Sequence, residues 1–293
     1  MLHEVFSITA EERGEARFYL CSCGPVMDRL TAEMMELLSL RFTLLPRNAR
    51  SNIPSHTLVH VPRWDILLYR AVVWKRASTS HRIRQVFRRH RRSYGPPLSE
   101  PEYSRLLSQI QVTRAAVLER VALEHSRKGH APYSDAYLML TRSEAVRFYE
   151  KGGGAQIPGY GTSRRALRGV DEAIALLTDR GINVVAYEPG SHSLVHQITA
   201  FFCCKGIFAL RGAEFANLIW MRPGSSVVMI APRQMKIPLL QGLLSTIFGL
   251  EYHQISTNSL YPKLDEKLTE EILRFIPSGP KTLEAEKGIL QRV

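Results

Sequence analysis

A few residues in this sequence have the type and spacing to handle an anion. Arg211-Gly212-Ala213 is a polar break between an apolar run at 206–210 and a short helical pattern that opens at Glu214 and carries Asn217. A helix start leaves backbone N–H groups unpaired and carries partial positive charge. Gly212 and Ala213 let a ligand come close to the backbone. Arg211 adds a fixed positive charge with bidentate donor geometry. A phosphate is the guest that suits this chemistry, and a structural turn that binds nothing is the other reading. Arg142 follows a strand predicted over 136–141. An arginine at a strand's C-terminal end faces the crevice where open α/β sheets bind ligands; a surface arginine is the alternative. Gln197 stands in a predicted helix beside His192 and His196. Its amide suits substrate hydroxyls or a plain helix surface. The two histidines share a helix face but lack a third ligand, so no metal site is expected.

These residues need a scaffold, and the hydrophobic pattern supplies one. The run at 206–210, the helix from 214 to 221, the stop at Pro223-Gly224 and the β-branched run at 226–231 form a parallel βαβ unit. Further strands are predicted at 16–22, 42–45, 57–61, 182–187 and 251–255. Helices are predicted at 26–38, 103–125, 170–180, 193–204, 238–248 and 265–276. Alternation of this kind gives an α/β fold with parallel sheet and helices on its faces. Lys128-Gly-His-Ala-Pro132 reads as a linker, which divides the chain into a Rossmann-like domain at 1–130 and a second at 131–293. Gly152-Gly-Gly154 lacks the Lys-Ser/Thr and the strand-to-helix setting of a P-loop and reads as a flexible insertion.

Composition sets the outer bounds. The 293 residues carry a net charge of +12, with 45% hydrophobic and 23% charged residues, which is the balance of a soluble globular protein with an anionic partner. No apolar run is long enough to span a bilayer, and the acidic N-terminus is not a secretory signal. A cytoplasmic, membrane-peripheral location is therefore expected. The pairs Cys21/Cys23 and Cys203/Cys204 do not have structural zinc spacing and read as buried thiols. The segment 63–92, opening at Arg63 and closing at Arg92, holds ten Lys or Arg and one Asp with apolar residues interleaved. It suits a solvated basic face, or a docking face for an anionic acceptor or membrane headgroups. Nucleic acid is disfavoured as its partner, because no recognised binding module accompanies the charge.

The stretch Arg211-Gly-Ala-Glu-Phe-Ala-Asn217, followed by Pro223-Gly224-Ser225, resembles the signature of glycosyltransferase family 61, a His-Gly-Ala-x-Leu-(Thr/Ala)-Asn turn before an apolar helix and a Pro-Gly-Ser strand start. Asp171-Glu172, Glu188, Ser193 and Gln197 fit the family's pattern upstream. Arg211 stands where the family usually has His, and the family's N-terminal His-Trp and Asp motifs are not found, so the chain is expected to enter the first domain partway. The resemblance implies two Rossmann-like domains of GT-B type. It also implies transfer of a hexose or pentose from a nucleoside diphosphate sugar to a hydroxyl of a glycan or glycoconjugate, as in polysaccharide biosynthesis, with inversion. No cofactor beyond the donor is expected, and the absence of an Asp-x-Asp element points away from a bound metal. The donor's diphosphate would lie on Arg142, Arg211, Gly212, Ala213 and Asn217, with Gln197 nearby. Glu188 and Glu214 are the candidate catalytic bases, and neither is assigned. Two other classes stay open: a catalytically inactive relative that binds the donor, and a basic adaptor for nucleic acid or membrane.

Overall fold

The computed structural model describes residues 16–22, 24–46, 99–126, 133–142, 167–233, 239–259 and 262–276. The strand expected at 57–61, the basic segment 63–92, the linker at 128–132, the triple-glycine stretch and the tail after 276 lie outside the described residues.

Near the N-terminus, β1 (Arg17–Cys21), α1 (Pro25–Leu37) and β2 (Arg41–Leu45) form a parallel two-stranded βαβ unit, with Phe18 level with Phe42. Pro25 occupies the first turn of α1, where its missing N–H costs nothing, and the Ser22 hydroxyl donates to Asp28 at 2.5 Å. A long helix, α2 (Glu100–Ser126), follows.

The larger sheet has five strands: β3 (Tyr137–Leu140), β4 (Val184–Tyr187), β5 (Gly206–Leu210), β6 (Ser226–Pro232) and β7 (Glu251–Thr257). All pair in parallel, in the order β4-β3-β5-β6-β7. The three central strands are buried throughout, as their unbroken apolar runs require, whereas the edge strands β4 and β7 are partly open. The linking helices are α3 (Val170–Asp179), α4 (Leu194–Cys203), a 3-10 helix (Ala213–Trp220), α5 (Leu239–Ile247) and α6 (Glu266–Leu273). Gly181, at φ +80°, ends the turn after α3 in the left-handed conformation that favours glycine.

Side chains alternate across the sheet, so one apolar cluster forms on each face. On the first face Leu138, Leu140, Ile207, Ala209, Val227 and Met229 pack against α2, α4 and the 3-10 helix. On the second, Tyr137, Met139, Phe208, Val228 and Ile230 pack against α3 and α6. Tyr103, Leu106, Ile110, Val117 and Val121 of α2 recur at helical spacing and are buried in the first cluster, so α2 belongs to the core of the larger sheet although it precedes the expected linker. In α4 Phe202 is only partly buried. It lies 5.9 Å beneath the Arg222 guanidinium, and Phe201 takes the core position. The expected terminal helix stays with its own sheet: α6 packs beside α3, where Arg180 and Glu270 approach to 3.7 Å. Cys204 is fully buried and Cys203 partly so; burial pushes the Cys204 thiol up to about 12, against a smaller opposing pull from Arg222. Among the described residues no helix is long and apolar enough to cross a membrane.

Candidate functional site

The strand order reverses direction between β3 and β5. In a doubly wound sheet such a switch point opens a crevice at the C-terminal ends of the two strands, because the connections leave them toward opposite faces. Arg142 and Arg211 lie just beyond those ends. The register pairs Met139 with Phe208, and carried forward it sets Arg142 level with Arg211. Glu188 belongs to the same edge: Leu140 pairs with Tyr187, and the Thr141 N–H donates to the Tyr187 carbonyl at 2.9 Å.

A small cleft opens here, lined by Leu140, Thr141, Arg142, Leu167, Ala209, Leu210 and Glu214. Arg142 Nη2 and Glu214 Oε2 form an ion pair within it, each side chain about four-fifths buried, with exposures of 20% and 21%. The pair lies across Gly212. A Cβ added at Gly212 would strike both its charged groups and come within 2.9 Å of Arg142 Cζ. Gly212 is fully extended, at φ −168°, so glycine is required here for close approach and not for backbone conformation.

The signature turn itself is held by the sheet. The Arg211 N–H donates to the Ile230 carbonyl at 2.9 Å, and the Gly212 carbonyl accepts from Phe215 N–H at 3.4 Å as the 3-10 helix begins. Among the described residues no side chain caps that helix start. At its far end Arg114, on α2, donates from Nε to the Ile219 carbonyl at 2.7 Å and from Nη2 to the Met221 carbonyl at 2.9 Å. This grip ties the turn to a helix about a hundred residues earlier, and nothing in the local sequence pattern announced it.

The remaining expected residues divide. Asn217 is half-buried on the 3-10 helix, with no side-chain hydrogen bond among the described residues. Arg211 is half-buried and does not line the cleft. Gln197 is fully buried and its amide donates to the His192 carbonyl at 3.1 Å; it holds a loop and is not among the cleft residues. His192 and His196 stack on each other with ring centres 4.2 Å apart, and His192 stacks on Tyr187 at 4.9 Å. Among the described residues no group of three or more His, Cys, Asp or Glu could share a metal ion.

Two residues of α1 that carried no sequence signal reach this edge. Arg29 donates to the Gly190 carbonyl at 2.8 Å and to the His192 carbonyl at 3.0 Å. Glu33 bonds Arg29 at 2.8 Å, and its second oxygen accepts the Leu194 N–H at the start of α4.

A search of curated proteins found no match to the chain. The model of the family described as glycosyltransferase 61 matches residues 22–228, a span that runs from the end of β1 through both clefted strands and the signature turn into β6. The chain therefore belongs to glycosyltransferase family 61.

Proposed function

We propose that this glycosyltransferase moves a sugar from a nucleoside diphosphate sugar to a hydroxyl of a glycan or glycoconjugate, with inversion and without a bound metal. The observation that carries the reading is the meeting of Arg142 with the signature turn at the switch point of a parallel sheet. When the bond between the sugar and the diphosphate breaks, negative charge grows on the leaving oxygen, and fixed cationic donors aimed at it lower the barrier. Arg142, Arg211 and the N–H groups of Gly212 and Ala213 are the donors at this edge, and two guanidinium groups suit the charge of a diphosphate. Asn217 would hold the turn or contact the nucleotide. Glu188 and Glu214 are the carboxylates beside it that can take the acceptor proton. Residues 131–293, with α2 packed on their sheet, would form the donor domain of a GT-B pair, and the chain before α2, with its basic segment 63–92, would face the acceptor or membrane headgroups.

Thermal unfolding with a panel of nucleotides and nucleotide-sugars tests this. One nucleoside diphosphate should stabilise the wild type, by about 2.7 kcal/mol at a hundredfold excess over its Kd. Arg142→Ala and Arg211→Ala should lose that stabilisation. No shift with any nucleotide at millimolar concentration would overturn the reading.

A further inference from the structure

A phosphate site leaves the Arg142–Glu214 pair unexplained, because a carboxylate already occupies the guanidinium that the anion needs. We propose that Glu214 is a specificity-determining residue, a competitor for Arg142 that the diphosphate of the donor must displace. The inference rests on the phosphate-site reading above.

The geometry makes the exchange specific. The pair lies against Gly212 so closely that even a methyl group there would collide with it. The guanidinium is thus held by Glu214, and the same pair crowds the turn at Gly212. One carboxylate neutralises one guanidinium, so the closed site offers a passing monoanion little net attraction. Glu214 forms one wall of the cleft. Withdrawal of Glu214 widens the cleft in the same movement that exposes Arg142.

A diphosphate can drive this movement. It brings more charge and more acceptor oxygens than a carboxylate, and guanidinium pairs with phosphate through parallel bonds. Once seated it repels the Glu214 carboxylate. No covalent bond changes; Arg142 exchanges one anionic partner for another. An anion with no more charge than Glu214 gains nothing by the exchange, and this is how the pair would select for the diphosphate.

Calorimetric titration of the full chain with inorganic pyrophosphate and with uridine, guanosine, cytidine and adenosine diphosphates decides the matter. Wild type, Glu214→Gln, Glu214→Ala and Arg142→Ala would be compared, with the melting temperature of each confirming that it is folded. Removal of the competing carboxylate should tighten pyrophosphate and the preferred nucleotide by roughly two- to fivefold, the range expected for breaking a partly exposed ion pair. Arg142→Ala should abolish binding. Unchanged or weaker binding in both Glu214 variants, with wild type and Arg142→Ala behaving as stated, would overturn the competitor role and leave the phosphate site intact. Failure of all four proteins to bind any of these anions would overturn both.

Discussion

His196 shows how one titratable residue reports on the packing beside the site. Its Nδ1 lies 3.2 Å from the Tyr187 hydroxyl, its ring stacks on His192, and Tyr133 meets it edge-on at 6.0 Å. Burial, and then the neighbouring His192, hold its pKa below the ordinary value of 6.5. The unfolded chain therefore binds a proton at a higher pH than the folded chain does. Stability from this source is complete above about pH 6.5 and falls as the pH drops toward the lowered folded value. Melting temperature should decline from about pH 7 to about pH 5, and His196→Asn, which does not titrate, should show a shallower decline. Parallel curves for the two proteins would place the sensitivity elsewhere. The histidines at 192 and 196 were expected to share a helix face, but His192 is extended and precedes the Ser193 cap of α4, and the ring stack with Tyr187 at the end of a strand could not be read from spacing. The same holds for Glu214. Its place in the signature turn was legible, while its pairing with Arg142, 72 residues away, follows only from the adjacency of β3 and β5. Gln197 fits a family pattern yet serves the loop, because a buried amide needs a partner and the His192 carbonyl supplies one.

At the scale of elements, the strand-turn-helix-strand unit at 206–232 was the most legible part of the chain. The run 206–210 is β5 to the residue, and the helix after the turn exists. Its 3-10 winding was not legible, since periodicity over eight residues separates 3-10 from α winding poorly. What fixes the far end of this short helix is a tertiary contact. Arg114 supplies two donors to carbonyls that the helix leaves unpaired, and its guanidinium also stands 5.6 Å over the Phe248 ring. Arg114→Ala should cost about 2 kcal/mol, the scale for losing charged hydrogen bonds from a partly buried site. Arg114→Lys should recover less than half of that, because an ammonium cannot present the parallel fork. Chemical denaturation measures both. A lysine variant as stable as wild type would reduce Arg114 to a point charge near a helix end. The matching functional readout is nucleotide binding, which should weaken in Arg114→Ala as the turn at Gly212 loses its anchor downstream.

Across the whole molecule, the N-terminal βαβ unit is joined to the larger sheet by packing and by a polar grip. Met34 of α1 enters the first-face cluster, and Arg29 with Glu33 holds the loop after β4 and the start of α4. The α/β class and the parallel alternation were legible because central strands must be apolar throughout. The strand order and this grip were not, because both pair residues far apart in sequence; Arg29 and Gly190 are 161 residues apart. Glu33 places negative charge at the N-terminus of α4, where it opposes the partial positive charge of that end and satisfies an N–H that the helix cannot. Ser193 already caps the same end by accepting from His196 N–H at 3.3 Å, so Glu33 acts as a second acceptor supplied from another helix. Arg29 is more exposed, at 38%, and its ion pair with Glu33 alone contributes little. Its weight lies in the two carbonyls it joins. Glu33→Ala should therefore cost about 1–2 kcal/mol, as loss of a helix cap does, and Arg29→Ala somewhat less. The two residues touch the same loop and each other, so their effects should not add. In Arg29→Ala/Glu33→Ala the loss should fall short of the sum of the single losses by about 0.5 kcal/mol or more. Strict additivity in urea denaturation would mean that the two side chains hold α1 to the sheet independently. A shortfall would mean that they act as one latch, which fixes the loop carrying Glu188 and His192 against the N-terminal unit.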